Sequence, residues 1–250
     1  MPLEAPLDSA AERVADLNRR YAHHAAHDVL THALTDPQVG RAAMVSSFGA
    51  ESVVLLHMLS TIDRTVPVLF VDTEMLFPET LAYQLEVAEK LRLTGIEVIR
   101  PDRDETFLMD GENALHRVSP DACCDLRKTR PLQRALEPFE AWVTGRKRYQ
   151  GGRRENIDFF EADAAGRIKV NPLAHFGPDD VQDYILNNRL PRHPLVEKGF
   201  LSIGCAPCTT RVAEDEDPRA GRWRGFDKTE CGIHFADGVA GRVSTRKTTA

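Results

Sequence analysis

Short apolar segments that alternate with helical patterns restrict the fold of this chain more than any other feature of its sequence. Strand-like segments lie at 43–45, 68–71 and 96–99, and helical spacing fills 52–62 and 78–93 between them. Such alternation predicts a mainly parallel sheet with helices on both faces, that is, a doubly wound α/β fold. Sheets of this kind bind ligands in the loops at the carboxyl ends of their strands.

The rest of the chain adds elements to this sheet and a segment without regular structure. A fourth strand is predicted at 142–144 and a helix at 179–188, and an opening helix extends from a capping box at Ser9 to about Leu34. We expect one domain with three parts, namely an N-terminal helix in 1–35, an α/β core in 36–200 and an irregular C-terminal tail in 201–250.

Charge and hydropathy exclude two classes of partner and indicate a compartment. The 250 residues carry a net charge of −6, without the basic excess that drives non-specific binding to nucleic acid. No apolar run approaches the ~20 residues of a membrane helix. The first residues show no basic stretch followed by an apolar core, which a secretory signal has. We therefore expect a cytoplasmic protein that binds neither nucleic acid nor membrane.

Two loops of the predicted sheet suit an anionic ligand. Small residues at 46–49 lead into a helix that starts near Ser52, where backbone N–H groups and the helix dipole bind phosphate or sulfate. This loop lacks the Gly-Lys-Ser/Thr ending of a Walker A motif, and an ordinary strand-to-helix turn looks similar. Lysines and arginines are dense at 146–154, after the fourth strand, which indicates either an anion site or a solvated basic loop.

The five cysteines divide into two pairs and one single residue. Cys123 and Cys124 are adjacent, and Cys205 and Cys208 form a Cys-X-X-Cys pair. Two thiolate pairs supply the four sulfurs of a tetrahedral zinc site or of a cubane iron–sulfur cluster. Buried structural thiols or a redox-active pair are the alternatives. Directly adjacent cysteines are unusual for zinc, which favours a cluster.

The single cysteine, Cys231, follows several basic residues of the tail. Cations nearby stabilise a thiolate, which is the nucleophilic form of cysteine. A spare thiol in a solvated basic segment fits the same pattern. The cations in question are Arg219, Arg222, Arg224 and Lys228.

These motifs together resemble those of assimilatory adenylylsulfate (APS) reductases of the iron–sulfur type, which are relatives of the phosphoadenylylsulfate reductases. The resemblance covers about residues 40–235. It is carried by the segments 46–51, 71–73, 76–80, 123–128, 144–148, 171–173, 193–195, 202–209, 219–223 and 230–234.

The resemblance implies an adenine nucleotide alpha hydrolase-like (PP-loop) fold and a role for every cysteine. Cys231 would attack the sulfate sulfur of APS, expel AMP and become S-sulfonated, after which thioredoxin or glutaredoxin would release sulfite for cysteine biosynthesis. The ligands of a [4Fe-4S] cluster would be Cys123, Cys124, Cys205 and Cys208. The substrate would contact Ser46, Ser47, Gly49, Thr73, Lys128, Gly145, Arg154, Arg219 and Arg222.

The resemblance also leaves alternatives. The four cluster cysteines imply APS as the preferred substrate, but a reductase of the 3'-phosphorylated nucleotide has the same fold and nucleophile. A tRNA-thiolating enzyme shares a similar nucleotide loop, and a non-catalytic nucleotide sensor could hold zinc at the four cysteines. Only 232–250 follow the nucleophile, so the electron donor is expected to be a separate protein. Association into dimers or tetramers is a further family feature, for which the sequence carries no signature.

Overall fold

A computed structural model describes residues 9–230 and 232–234 of the chain. The predicted capping box is present, with Ser9 accepting from the Glu12 N–H at the start of helix α1 (Ala10–Tyr21). The expected single helix to Leu34 is wrong, because a turn separates α1 from α2 (Ala26–Ala33). This turn lets the Tyr21 ring stack on His32, with 4.7 Å between the ring centroids.

Within the described residues, six strands form one sheet in the order β3-β2-β1-β4-β6-β5. The four predicted strands are confirmed, and the sheet has two more, β5 and β6, of three residues each, which the sequence pattern did not predict. All neighbours are parallel except β5 and β6. The strands are β1 (Ala42–Ser46), β2 (Val68–Val71), β3 (Ile96–Ile99), β4 (Ala141–Val143), β5 (Phe160–Ala162) and β6 (Ile168–Val170).

Helices connect these strands as the alternating pattern predicts. Helix α3 has the predicted bounds, whereas α4 ends before the predicted residue 93 because Arg92 takes the left-handed conformation, with φ 53°. The helices are α3 (Ser52–Ile62), α4 (Pro78–Leu91), α5 (Arg103–Asp110), α6 (Leu115–Val118), α7 (Pro120–Cys124), α8 (Arg130–Ala135) and α9 (Pro178–Asn187). One π-helical turn (Asp125–Thr129) joins α7 to α8, and 3-10 turns lie at Arg148–Gln150, Gly152–Arg154, Ala206–Cys208 and Gly232–His234.

Both faces of the sheet are covered at its central strands, as a doubly wound fold requires, whereas the edge strand β3 leaves Glu97 and Val98 exposed. Two hydrophobic clusters lie on opposite faces of the sheet. In β1, Met44 belongs to the larger cluster, and the adjacent Ala43 packs with Leu132 and Trp142 in the smaller one. Chain connections run outward from β1 to β2 and β3 on one side and continue through β4 on the other. The order therefore switches direction between β1 and β4, where open α/β sheets bind their ligands. No helix of the described part of the chain is long and apolar enough to span a bilayer.

Candidate active site

A cavity of about 560 Å³ opens at the carboxyl ends of β1 and β4, at this switch in strand order. The loops after both strands, the segment before Cys205 and the tail residues 217–222 form its walls. Eight of the residues expected at the substrate lie here together. They are Ser46, Ser47, Gly49, Lys128, Gly145, Arg154, Arg219 and Arg222.

The loop after β1 is held in one conformation by its own side chains. Phe48 adopts φ 47°, a left-handed backbone that is uncommon for a bulky residue, and its fully buried ring packs edge-on against Phe70. The Phe48 N–H donates to Ser46 Oγ over 3.2 Å, and the Gly49 N–H donates to Ser52 Oγ over 3.0 Å. Since α3 starts in this loop, its positive dipole end lies at the wall of the cavity.

The basic loop after β4 is tied to the start of α3 by Glu51. Lys147 Nζ donates to one Glu51 oxygen over 2.8 Å, and the Tyr149 hydroxyl donates to the other over 2.5 Å. Burial opposes ionisation of Glu51, but the Lys147 charge and these hydrogen bonds outweigh it and lower the pKa of Glu51. The Lys147 charge is thus balanced by Glu51, which sequence reasoning missed as a site residue although it lies within the 46–51 motif.

Arg222 lines the cavity and carries a buried donor without an acceptor among the described residues. Its guanidinium lies over the Trp223 ring, 4.3 Å from the centroid, and its Nε has no hydrogen-bond partner among the described residues. Gly204 permits this position, because a Cβ there would come within 2.3 Å of Arg222 Nη2. A buried N–H without a partner costs free energy unless a ligand satisfies it. The motif at 202–209 contains Gly204, but its spacing gave no sign of this contact.

The four paired cysteines surround a second, smaller cavity of about 10 Å³. Lys128 and Arg222 line both cavities and so separate the cysteines from the larger one. Burial and the neighbouring thiols raise the pKa of Cys123 to about 12. The same causes raise the pKa of Cys208 to about 11. No group of three or more ligand-type side chains in 9–230 and 232–234 is arranged to hold a single metal ion.

Thr73 is the one expected substrate residue that lies elsewhere. It lines the cysteine cavity rather than the larger one, with its hydroxyl 3.1 Å from Cys205 Sγ. The reason is the path of the chain after β2, where the bridge between Leu76 and Cys205 pairs this loop with the cysteine segment. Thr73 therefore lies beside the cysteines, and its contact with the substrate stays a prediction.

Arg127 is a buried site residue that sequence reasoning did not assign. Its guanidinium is only 2% exposed and pairs with Asp110 over 2.9 Å, while Nη1 donates to the Thr73 carbonyl over 3.3 Å. It stands in the π-helical turn that directly follows the Cys123-Cys124 pair. The available sequence signal was its position three residues after Cys124. Sequence spacing alone does not reveal the ion pair with Asp110.

The tail reaches the cavity at residues next to the expected nucleophile. Cys231 itself lies outside the described residues. Glu230 is buried and pairs with Arg154 and Arg219, over 2.5 and 3.3 Å. On the other side, Ile233 lines the cavity and packs against the second face of the sheet.

Comparison with known proteins agrees with this geometry. The phosphoadenosine phosphosulfate reductase domain matches residues 41–211. The adenosine 5'-phosphosulfate reductase of Mesorhizobium japonicum is 46% identical over 229 residues, which cover 92% of this chain and 90% of that protein. The phosphoadenosine 5'-phosphosulfate reductase of Gloeobacter violaceus is 42% identical over 196 residues, with coverage of 76% and 81%.

A solved structure supports the same assignment. The phosphoadenylyl-sulfate (PAPS) reductase of Candida auris, in complex with phosphate, superimposes with a TM-score of 0.68 at 26% identity. The match covers 80% of this chain and 97% of that one. The predicted fold class is confirmed, and the chain belongs to the phosphoadenosine phosphosulfate reductase domain family.

Proposed function

We propose that this protein reduces APS to sulfite and AMP, with thioredoxin or glutaredoxin as a separate electron donor, in sulfate assimilation and cysteine biosynthesis. The main support is the position of two cations between the two cavities. The cavity at the switch point is lined by cations, and two of them, Lys128 and Arg222, also line the cavity formed by the four paired cysteines. The relative from Mesorhizobium japonicum, named an APS reductase, aligns over 90% of its length.

The cavity residues have distinct tasks in this reaction. The rigid loop at 46–49 and the dipole of α3 bind the nucleotide phosphate. Arg222, which lines the cavity, donates to the sulfate, with Lys128 beside it. A thiolate must approach a group that is already negative, so these cations lower the electrostatic barrier and stabilise the departing phosphate.

The chemistry proposed for Cys231 is a displacement at sulfur. Its thiolate attacks the sulfate sulfur, a new S–S bond forms, and the S–O bond to the phosphate breaks with the electron pair leaving on AMP. A thiolate of the reduced donor then attacks Cys231 Sγ, and sulfite departs with the S–S electron pair. The second donor thiol resolves the mixed disulfide. The donor dithiol is thus oxidised to a disulfide and supplies both electrons, so the balance needs no other reductant.

The four paired cysteines fit an iron–sulfur cluster. The donor set is all sulfur, and the four side chains share one small cavity. Zinc sites usually have two to four residues between paired ligands, whereas Cys123 and Cys124 are directly adjacent. A [4Fe-4S] cluster spreads its four thiolates over several iron atoms. Cys123, Cys124, Cys205 and Cys208 would hold it, and it would supply a local charge centre next to Lys128 and join two distant segments.

The cellular setting follows from the same chemistry. The proposed reaction uses a thiolate nucleophile and a reduced dithiol donor. The cytoplasm keeps thiols reduced and contains thioredoxin, so we place the enzyme there. We further propose that 1–250 act as one sulfonucleotide reductase domain.

Reduction of the 3'-phosphorylated nucleotide is the second candidate. Its support is the 42% identity to the Gloeobacter violaceus protein, which is named for that substrate. Rates of sulfite release with APS and with its 3'-phosphorylated form distinguish the two. We expect APS to be the faster substrate.

The deciding experiment is anaerobic purification followed by a sulfite assay with APS and reduced thioredoxin. We expect a brown protein with absorption near the blue end of the visible, whose Cys231→Ser variant keeps the colour and loses sulfite release. A colourless protein with zinc bound would contradict the cluster. A Cys231→Ser variant that still forms sulfite would contradict the mechanism.

A further inference from the structure

The ion pair between Glu230 and Arg154 joins the tail to the loop after β4. Arg154 Nε donates to Glu230 Oε1 over 2.5 Å and Nη2 donates to Oε2 over 2.7 Å, so the pair is bidentate. Glu230 is 5% exposed and Arg154 is 8% exposed. Burial opposes ionisation of Glu230, but Arg154 and Arg219 outweigh it and lower the pKa of that carboxyl.

Each of the three guanidinium nitrogens of Arg154 donates to a protein acceptor. Its third nitrogen, Nη1, donates to the Gln150 side-chain oxygen, and the Gln150 amide donates to Glu51 over 3.3 Å. These bonds use three of its five N–H groups, two of them on Glu230, so the geometry suits holding the tail. Arg154 also lines the cavity, and its expected contact with the substrate stays a prediction.

A gain in folding stability does not by itself explain a buried ion pair between Glu230 and Arg154. Removing two charges from water costs about as much as their attraction returns, so a buried ion pair is often no better than apolar packing. A bidentate pair does fix direction, because the planar guanidinium and the carboxylate align with each other. Fixed direction is valuable here, because Glu230 is the residue directly before Cys231.

A second contact secures the same segment two residues earlier. Lys228, which is 4% exposed at its side chain, pairs with Asp121 of α7, the helix that carries Cys123 and Cys124. Its ammonium also lies 5.4 Å from the Trp223 ring centroid. The chain that leads into residue 231 is therefore attached to both the cysteine helix and the β4 loop.

We infer that Glu230 is a positioning residue, which docks the chain before Cys231 on Arg154 so that the thiolate meets the bound substrate in a fixed direction. The inference rests on the proposed function for the role of Cys231. The Glu230–Arg154 ion pair does not involve the substrate. Its loss should therefore lower kcat more than it raises KM.

The test is a double-mutant cycle with Glu230→Gln, Arg154→Gln and the double variant. We expect Glu230→Gln to lower kcat for APS reduction about 10- to 100-fold, while KM changes by less than about threefold. The double variant is expected to be no slower than the slower single variant, since each removes the same contact. Tryptic cleavage after Lys228 should become severalfold faster in Glu230→Gln.

The matched control is Glu216→Gln, which removes an exposed pair with Arg224 in the same tail and should change neither rate nor cleavage. Unchanged kcat and cleavage in Glu230→Gln would overturn the inference. A lower KM with undiminished kcat would also overturn it, since Glu230 would then be a competitor of the substrate anion. If the wild type does not reduce APS, the proposed function fails, while the cleavage comparison still tests docking.

Discussion

At the residue scale, the contact between Gly204 and Arg222 shows how a backbone position sets the charge of the cavity. The Arg222 guanidinium lies where a side chain at 204 would stand, and it faces the larger cavity on one side and the cysteines on the other. The Trp223 ring packs against the guanidinium, with 4.3 Å between Arg222 Cζ and the ring centroid. Because residue 204 is a glycine, the Arg222 guanidinium has room to line both cavities.

Gly204→Ala should displace Arg222 and weaken substrate binding. The new methyl group would lie 2.3 Å from Arg222 Nη2, and the flexible side chain moves more easily than the backbone. We expect KM for APS to rise about tenfold, the loss of one charge-assisted hydrogen bond, with the free energy of unfolding changed by less than about 1 kcal/mol. Steady-state kinetics, AMP titration calorimetry and urea unfolding measure these quantities.

Gly177→Ala is the matched control. A Cβ at 177 meets only Asp180 Oδ2, at 3.5 Å, and the residue does not line the cavity. Its KM should equal that of the wild type. An unchanged KM in Gly204→Ala would show that Arg222 does not contact the substrate.

At the element scale, His193 fastens the segment after α9 to helix α4. Its Nδ1 accepts from the Leu195 N–H over 3.2 Å, so the neutral ring carries its proton on Nε2, which is 3.0 Å from Thr80 Oγ1. The ring packs edge-on against Tyr83 at 4.8 Å. Burial lowers the pKa of His193 from 6.5 to about 4, and nearby Glu79 offsets only part of that effect.

This histidine should make the packing of α4 sensitive to acid. The folded-state pKa lies below the unfolded value, so stability is complete above about pH 6.5 and is lost as the pH falls towards 4. Between pH 7 and pH 5 the loss at this one group is about 2 kcal/mol. His193→Asn keeps an acceptor for Leu195 and lacks this titration. Urea unfolding of both proteins across pH 4.5–7.5 should give curves that converge at low pH, and parallel curves would refute the assignment.

The elements with a strong local pattern could be predicted from sequence, and the contacts between them could not. Helix α3 has its predicted bounds because its apolar spacing continues over eleven residues. The three-residue β6 pairs with β4, and β5 pairs with β6, so both strands depend on contacts between distant segments. The position of Thr73 beside the cysteines is also a tertiary effect, since the loop after β2 pairs with Cys205 from a distant part of the chain.

At the scale of the whole molecule, the two cysteine pairs join parts of the chain that are far apart in sequence. Cys123 and Cys124 end α7, which follows β3, whereas Cys205 and Cys208 belong to the segment after α9. Lys228 and Arg127 extend this junction to the tail and to the loop after β2. Closing a loop of this size reduces the entropy of the unfolded chain, and the effect grows slowly with loop length.

Removing the proposed cluster should therefore destabilise the entire domain. A link between segments about 80 residues apart contributes about 4 kcal/mol by the loop-entropy relation for cross-links. Metal–ligand binding in the folded state adds to this value. Anaerobic urea unfolding should show a lower midpoint after the protein is stripped with a chelator, and also for Cys208→Ser. Cys231→Ser, which leaves the four ligands intact, should keep the wild-type midpoint. Equal midpoints before and after stripping would mean that the four cysteines do not link these segments through a bound group.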